Sequence, residues 1–312
     1  MESLLLSIDV TLPLFIMMAL GYLLKCLKII DSDLIKKVNK LNFKLFLPVM
    51  MFNNLYSADI SSVWDSKTVI ITVLSTPIIF GLAYFIIPRL VKDNKKAGVM
   101  VQGLYHSNYS YVGIPVAMSI CGTTTAGISA VVLSLISPIN NSISVINYEL
   151  FRGGKIRISV ILKRIFTNPL IIASILGIIG MILRIKFPTI IQKTLGDLSK
   201  VCTPLALIML GASFDFKSLT GNVKPLVFIS GIRLIIIPAI AFTVCYFLNI
   251  RGEALAAMFA LFATPVAVVS YTLSQMMGGD HELSAQMIIV QSCAAILTMF
   301  MWVFILNSIG MF

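Results

Sequence analysis

Polar side chains, a glycine and a proline interrupt an otherwise apolar stretch near residue 110. The interrupting segment, residues 107–115, reads Ser-Asn-Tyr-Ser-Tyr-Val-Gly-Ile-Pro. In hydrocarbon every backbone N–H and C=O needs a partner inside the protein, so a broken helix is tolerated only where it is buried or lines a watery cavity. Broken helices at the bilayer midplane are typical of the binding sites of secondary transporters. This segment is therefore the first candidate for a binding site.

Two half-helices that meet end to end in this segment could bind an anion. Pro115 cannot donate an N–H and clashes with the carbonyl four residues earlier, and Gly113 permits backbone conformations that other residues resist. The sequence thus predicts a break between Ser110 and Pro115. The second half-helix would begin with about half a positive charge and free N–H groups, which suit a carboxylate. Asn108 and Ser110 would add neutral donors. The alternative is a structural proline kink.

The composition indicates an integral membrane protein. Of the 312 residues, 58% are hydrophobic and only 12% are charged, against about 25% charged in soluble domains. The mean hydropathy is +0.97. Apolar blocks of about 20 residues favour spanning helices over the alternating strands of a barrel. The predicted fold class is an all-α membrane protein.

Charge and cysteine usage argue against several other classes of protein function. The net charge of +11 comes from Lys and Arg in short connections between apolar blocks, so we expect no nucleic-acid partner. The five cysteines are scattered and form no Cys-x-x-Cys pair, so neither a metal site nor a disulfide framework is expected. No nucleotide-binding loop is recognisable, so we expect no cofactor. Transport would be secondary, and whether H⁺ or Na⁺ drives it is left open.

The distribution of basic residues predicts the topology. Placing the N-terminus outside leaves 17 Lys and Arg residues in the cytoplasm and six outside, as the positive-inside rule requires. Both termini of a ten-span chain would then be extracytoplasmic, in the cell membrane. The predicted spans are 7–28, 34–55, 67–90, 97–120, 125–150, 168–184, 198–213, 224–248, 252–277 and 284–308.

Five spans on either side of a basic connection suggest an internal repeat. The halves would be residues 1–152 and 166–312, separated by the cytoplasmic connection 153–165. Because five is odd, the second half would be inverted. Counting back from the glycine turns that end the fourth and ninth spans, the counterpart of Pro115 falls near Ser270. A second break is therefore expected over Thr264, Pro265 and Ser270, with Pro265 and Ser270 as site candidates.

Two charged residues near apolar depth raise a further possibility. Arg233 lies well inside the eighth span, where a charge costs about 3 kcal/mol and usually faces a cavity or a partner. It could be a counter-charge for an anion or form a gating pair with Glu149. The alternative, a snorkelling Arg or one that caps a helix end, is slightly favoured over direct contact with a substrate.

Uncharged candidates lie beside the broken segment. His106 titrates near neutrality when unperturbed, but its spacing from Asn108 favours a packing role over proton transfer. Asn140, Asn141 and Asn147 place amides on the fifth span, where they could line the cavity or bond between helices. Asn141 is kept as a binding candidate.

At these residues the chain resembles the auxin efflux carrier family, which includes malate permease-like members and plant auxin exporters. The resemblance covers nearly the whole chain. The Asn-x-x-x-x-Gly-Ile-Pro pattern at 108–115 is similar to that family's fourth span. The other similar pieces are Asn39 with Pro48, residues 204–213, Arg233 with Pro238, and Glu149 through Arg152.

The resemblance implies ten helices in two inverted five-helix repeats, with broken fourth and ninth helices that cross as in bile-acid:sodium symporters. It also implies elevator-type transport of a small organic anion, auxin-like or malate-like. One departure concerns the ninth-span break, where Ala267-Val268-Val269 stands in place of the polar residue that bacterial relatives often carry. This raises the prospect of a less polar substrate. Assembly as a homodimer is left open.

Other functions receive less support from the sequence. A membrane-embedded enzyme would need paired acids, a His cluster or an activated Ser, and no such constellation is recognisable, so we do not expect an enzyme. A gated anion channel or a non-transporting receptor remains the alternative. Saturable, exchange-accelerated uptake would distinguish a carrier from a channel.

Overall fold

The computed structural model describes residues 2–57, 65–153, 162–163, 165–214 and 219–312. Most of the predicted basic connection 153–165, with Lys155, Arg157 and Arg164, lies outside these residues, as does Lys217. The helices are α1 (Glu2–Cys26), α2 (Ser32–Leu41), α3 (Leu47–Tyr56), α4 (Ser66–Leu90), α5 (Asn94–Tyr105), α6 (Ile114–Cys121), α7 (Ala126–Phe151), α8 (Pro169–Ile182), α9 (Thr189–Ser213), α10 (Leu219–Gly231), α11 (Ile237–Phe247), α12 (Gly252–Phe262), α13 (Val269–Met277) and α14 (His281–Ser308).

Acidic and amide side chains start several of these helices. The first N–H groups of a helix have no intrahelical acceptor, and an Asp or Asn at the N-cap supplies one. Asp31 accepts from the N–H of Leu34 at 2.7 Å, and Asp280 accepts from that of Leu283 at 2.9 Å. Asp65, Asp93 and Asn168 cap α4, α5 and α8 in the same way. Polar residues in the connections therefore fix where the apolar segments become helical.

Three π-helical turns precede prolines in the same register. They cover Asn42–Phe46, Tyr109–Gly113 and Ile232–Ile236, and each leads into a helix with proline in its first turn, at Pro48, Pro115 or Pro238. A proline cannot donate to the preceding turn and crowds the carbonyl four residues back. Widening that turn accommodates both effects without ending the helix. Such π turns are frequent at functional sites.

The described helices have the apolar character of a membrane protein. Five are long and apolar enough to cross a bilayer: Ser66–Leu90, Ala126–Phe151, Thr189–Ser213, Gly221–Phe247 and His281–Ser308. Shorter apolar helices cover Leu12–Cys26, Tyr109–Cys121, Pro169–Ile182 and Gly252–Phe262. Large apolar side chains at 70, 74, 78, 82 and 86 of α4 are exposed, and this face borders an apolar cavity described below. The count of ten spans stays a prediction.

Glycines allow α1 and α9 to pack with their backbones in contact. A Cβ on Gly211 would lie 1.9 Å from the carbonyl oxygen of Met18, and one on Gly21 would lie 2.0 Å from that of Ile208. Without a hydrophobic driving force inside the bilayer, such close approach supplies the van der Waals contact that holds helices together. The same helices contribute Leu14, Met18, Leu207 and Leu210 to the buried core.

Candidate functional site

Two interrupted helices meet and pair through their backbones. α5 ends at Tyr105 and α12 at Phe262, and the interruptions that follow are joined by an antiparallel bridge between Ser107 and Val266. The N–H of Asn108 donates to the carbonyl of Pro265 at 2.8 Å, and the N–H of Ala267 donates to the carbonyl of His106 at 2.9 Å. Each interruption thus supplies the hydrogen-bond partners that the other has lost.

The first interruption lies earlier than the sequence analysis predicted. It falls at 106–108, before the π turn, and the chain is helical from Tyr109 through the predicted break to Cys121. Pro115 sits in the first turn of α6, and the widened turn before it absorbs the clash that would otherwise break the helix. The tertiary pairing with Pro265 and Ala267, rather than Pro115, sets the position of the interruption.

Hydrogen bonds to backbone N–H groups also stabilise the second interruption, at residues 263–268. Pro265 has no N–H. The N–H of Val266 donates to Oε1 of Gln291, which reaches in from α14, at 2.9 Å. The N–H of Ser270 donates to the carbonyl of Ala267 at 3.0 Å and starts α13. Gln291 was not foreseen from the sequence, because an amide on a long apolar helix gives no signal of its distant partner.

A cavity of about 70 Å³ lies beside the paired interruptions. The first turns after both interruptions line it, through Tyr109, Ser110 and Tyr111 on one side and Val268 and Val269 on the other. The remaining lining residues are polar Ser107, Asn108, Ser137, Asn140, Asn141, His106 and Thr203, and apolar Met50, Met51, Leu133, Ile136 and Ala267. Its polar lining comes from the first interruption, from α7 and from Thr203 of α9, and its apolar lining comes from α3, α7 and the second interruption. We call it the polar cavity.

Among the described residues, two amides at the cavity have unfilled hydrogen-bonding capacity. The Nδ2 of Asn108 and the Oδ1 of Asn141 are buried and have no partner. Asn141 Nδ2 donates to the carbonyl of Ser137 at 2.8 Å and also contacts the thioether sulfur of Met51, which is a weak acceptor. Buried polar groups without partners are rare in native proteins. These two amides are available to a ligand.

Not every predicted site residue reaches the cavity. Ser110 lines it and is exposed, whereas Gly113 is buried and Pro115 is exposed outside it. Pro265 and Ser270 are also outside the lining, although the carbonyl of Pro265 pairs the two interruptions. The structure therefore brings Asn108, Ser110 and Asn141 together at the cavity.

We call the place where the interruptions at 106–108 and 263–268 pair the crossing. Arg233 is buried at the crossing but is not among the cavity-lining residues. Its side chain is 1% exposed and donates to backbone carbonyls of both interrupted helices. Nη1 bonds to the carbonyl of Leu104 at 3.1 Å, and Nη2 bonds to that of Leu261 at 3.1 Å. Nε and Nη2 both bond to the carbonyl of Thr264, at 3.1 and 2.9 Å. Arg233 thus caps helix ends, which was the alternative weighed from the sequence.

Glu149 contacts Arg152 at the end of α7. Its Oε1 lies 3.3 Å from Nη1 of Arg152, one turn along α7, whereas the hydrogen bonds described above join Arg233 to carbonyls. These contacts give no support to the gating pair that the sequence suggests. The two residues were linked only because both are charges at apolar depth, a signal that does not specify the partner.

His106 belongs to a buried hydrogen-bond network. Its Nδ1 lies 3.3 Å from Nε2 of Gln102 and 3.2 Å from Oγ of Ser144. Tyr105 donates to the same Ser144 oxygen at 3.2 Å, and Tyr148 donates to Oε1 of Gln102. These partners support the packing role favoured from the sequence. Asn147 is likewise engaged, donating to the carbonyl of Gly98 at 2.8 Å.

A second, apolar cavity of about 530 Å³ lies between α4 and α11. Its lining is aliphatic apart from Phe262 and Ser75, and the Ser75 hydroxyl donates to the carbonyl of Thr72 in its own helix. Leu104 and Phe262, from the last turns of α5 and α12, also line it. The apolar cavity thus touches the helices that end at the crossing, and the polar cavity touches those that begin there.

Sequence comparisons identify related proteins along almost the whole chain. A model for the family described as "Membrane transport protein" matches residues 7–158 and 151–303. An uncharacterized transporter of Methanothermobacter thermautotrophicus is 26% identical over 302 residues, covering 95% of this chain and 97% of the relative. An uncharacterized transporter of Methanocaldococcus jannaschii is 26% identical over 311 residues, covering 96% and 98%. A "Putative malonate transporter" of Rhizobium meliloti is 20% identical over 307 residues, covering 95% of each chain.

Proposed function

The chain belongs to the membrane transport protein family, that of the auxin efflux carriers, and we propose that it is a secondary active transporter of a small organic anion. The observation that carries the proposal is the pairing of Asn108 with Pro265 and of Ala267 with His106, beside a polar cavity. Both helical segments that follow the interruptions begin at this cavity. Their N-terminal ends would favour an anion, although the N–H groups of Ser270 and Tyr271 are already paired with carbonyls.

The proposed substrate is a small carboxylate with an apolar body. Asn108 would donate to the carboxylate through its free Nδ2, whereas the free Oδ1 of Asn141 is an acceptor and would bind a hydroxyl or N–H group of the substrate. Met50, Met51, Leu133 and Ile136 would contact the hydrocarbon part. The cavity has room for roughly two water molecules, so binding would require the flexible Met side chains to move. The name of the Rhizobium meliloti relative adds malonate to the malate-like and auxin-like anions to be tested.

The proposed architecture is ten spans in two inverted repeats, with an elevator-type alternation of access. The interruptions at 106–108 and 263–268 occur in the spans that the sequence analysis numbered fourth and ninth, which supports the repeat. Broken helices paired at the membrane centre are the usual binding element of transporters built from inverted repeats. We further propose a location in the cell membrane with both termini outside. The coupling ion, H⁺ or Na⁺, and a homodimeric assembly are left to experiment.

Ligand-dependent thermal stabilisation tests this function. Purified full-length protein would be melted in the presence of mono- and dicarboxylates, with and without sodium, and with the matching neutral amides as controls. We expect a saturable rise in melting temperature with at least one carboxylate and none with its amide. If no carboxylate stabilises the protein, or if the amides stabilise it equally, the anion-carrier proposal is wrong.

Transport in proteoliposomes separates the carrier from the alternative of a gated anion channel or a receptor. A carrier should show saturable uptake that internal substrate accelerates, because the loaded site returns faster than an empty one. A channel should show uptake without such acceleration, and a receptor should bind without uptake. The position of the cavity beside two interrupted helices favours the carrier, because such helices are typical of the binding sites of secondary transporters.

A further inference from the structure

Four helix ends meet at the crossing, two of each polarity. α5 and α12 end there, and the helical segments that begin at Tyr109 and Val269 start there. A helix carries about −0.5 of a unit charge at its C-terminus and about +0.5 at its N-terminus. The two C-terminal ends together therefore carry about −1, and the two N-terminal ends carry about +1.

The positive charge of Arg233 is positioned to balance the negative charge at the C-terminal ends of α5 and α12. Its guanidinium bonds to Leu104 of one interrupted helix and to Leu261 and Thr264 of the other, at 2.9–3.1 Å. A buried cation normally needs a compensating negative charge. Here the compensating charge comes from two helix ends, whose sum is close to one unit.

Among the described residues, no charged side chain at the cavity balances the two N-terminal helix ends. None of the residues that line the polar cavity is Asp, Glu, Lys or Arg. The cavity does contain the buried Nδ2 of Asn108, a residue only 6% exposed, which has no acceptor within the described chain. A free buried donor beside two positive helix ends suits a ligand that brings negative charge.

We propose that the site is balanced for a single negative charge, that Arg233 sets this balance, and that the protein selects monocarboxylates over dicarboxylate dianions. The inference rests on the proposed function as an organic-anion carrier. A second carboxylate would enter a cavity whose lining offers no cation, and burying an unpaired charge is costly. Arg233 acts as a positioning residue: it holds both interruptions together and prevents the C-terminal ends from opposing the substrate charge.

Three ligands with one carbon skeleton test the selectivity on the unmodified protein. Malonate, its monomethyl ester and its dimethyl ester carry two, one and no negative charges at mildly alkaline pH. We expect the monoester to bind about tenfold more tightly than the dianion, and the diester to bind weakly. Equal or tighter binding of the malonate dianion overturns the inference but leaves the carrier proposal intact. Failure of every carboxylate to bind refutes the carrier proposal itself.

Variants of Arg233 test its contribution to the charge balance of the site. Arg233→Gln removes the charge, and Arg233→Lys keeps the charge but loses the planar fork that bridges the two helix ends. We expect Gln to weaken monoester binding about tenfold and Lys to weaken it about threefold or less, with both variants melting earlier when unliganded. Arg251→Gln is the matched control, because Arg251 stacks over Tyr246, 5.1 Å from the ring centroid, away from the crossing.

Comparing these three variants distinguishes an electrostatic role of Arg233 in binding from a role in folding alone. If Gln and Lys reduce monoester affinity equally, or if Arg251→Gln reduces it as much as Arg233→Gln does, Arg233 has no electrostatic role. If Arg233→Gln cannot be purified folded, Arg233→Lys decides: retention of the preference for the monoester supports the proposal, and its loss overturns it.

Discussion

Gly113 lies directly against the backbone of Ala260, so that the helix after the first interruption crosses α12 in van der Waals contact. A Cβ built on Gly113 would be 2.8 Å from the carbonyl oxygen of Ala260 and 3.0 Å from its Cβ. The contact holds the second half of one interrupted helix against the first half of the other. Gly113 therefore permits this close approach through its small size.

We expect Gly113→Ala to open this contact and to displace the first turns that line the cavity. Overpacking at such a site costs about 1–3 kcal/mol, and substrate affinity should fall together with thermal stability. Gly81→Ala is the control, since an added Cβ there meets no atom within 4 Å in α4. Pro115→Ala should have a smaller effect, because Pro115 is exposed in the first turn of α6. Ligand-dependent melting of the three variants measures both quantities, and unchanged affinity in Gly113→Ala would contradict this account.

Asn108 should contribute to affinity more than to stability. A hydrogen bond to a charged group contributes about 1.5–3 kcal/mol, so Asn108→Ala should weaken carboxylate binding at least about tenfold. Its Nδ2 has no acceptor within the described chain, so the unliganded protein should melt at nearly the same temperature. Isothermal titration and melting of the free protein give the two numbers.

Asn147→Ala is the matched control for Asn108→Ala. The Asn147 amide donates to the carbonyl of Gly98 at 2.8 Å and is buried. Its removal should lower the melting temperature of the free protein and leave affinity nearly unchanged. Should Asn108→Ala behave as Asn147→Ala does, Asn108 is a structural amide and leaves the proposed site.

Gly211→Ala should destabilise the contact between α1 and α9 without altering the site chemistry. The new Cβ would lie 1.9 Å from the carbonyl oxygen of Met18, so the helices must separate, at a cost of about 1–3 kcal/mol or more. Gly196→Ala, in the same helix, has open space around its Cβ and should gain about 0.5–1 kcal/mol of helix propensity. Melting temperatures that fall for both variants, or for neither, would contradict the close packing.

The proposed topology is tested by reporters fused to the C-terminus. Because the charge distribution leaves 17 basic residues inside and six outside, a reporter active only outside the cytoplasm should work when fused after Phe312. The same reporter inserted at residue 92, between α4 and α5, should be inactive. A cytoplasmically active C-terminal fusion in a protein that still transports would rule out the ten-span arrangement.

An irregular helix near residue 110 could be predicted from the sequence, but the position of its interruption could not. Polar residues with Gly113 and Pro115 in an apolar stretch identified the region, and the cavity does contain Asn108 and Ser110. The interruption itself lies at 106–108 because Pro265 and Ala267 supply its partners. That pairing is a contact between distant parts of the chain, and residue types near Pro115 do not encode it.

The partners of Arg233 were also beyond the reach of the sequence. Its place inside an apolar span was predictable, and the sequence left open a pair with Glu149, a snorkelling side chain and a helix-capping role. The observed partners are carbonyls, which every residue carries. Residue identity therefore gives no indication of which carbonyls are chosen, and only the geometry of the interrupted helices does.

Backbone recognition by Arg233 has a consequence for how this region tolerates mutation. The carbonyls it binds belong to Leu104, Leu261 and Thr264, and a change of side chain at these positions leaves the acceptor oxygen in place. In a saturation-mutagenesis screen position 233 should accept almost no replacement, whereas conservative replacements at 104, 261 and 264 should survive. Among homologues, only position 233 of these four would then be conserved. Sequence covariation would not reveal the interaction.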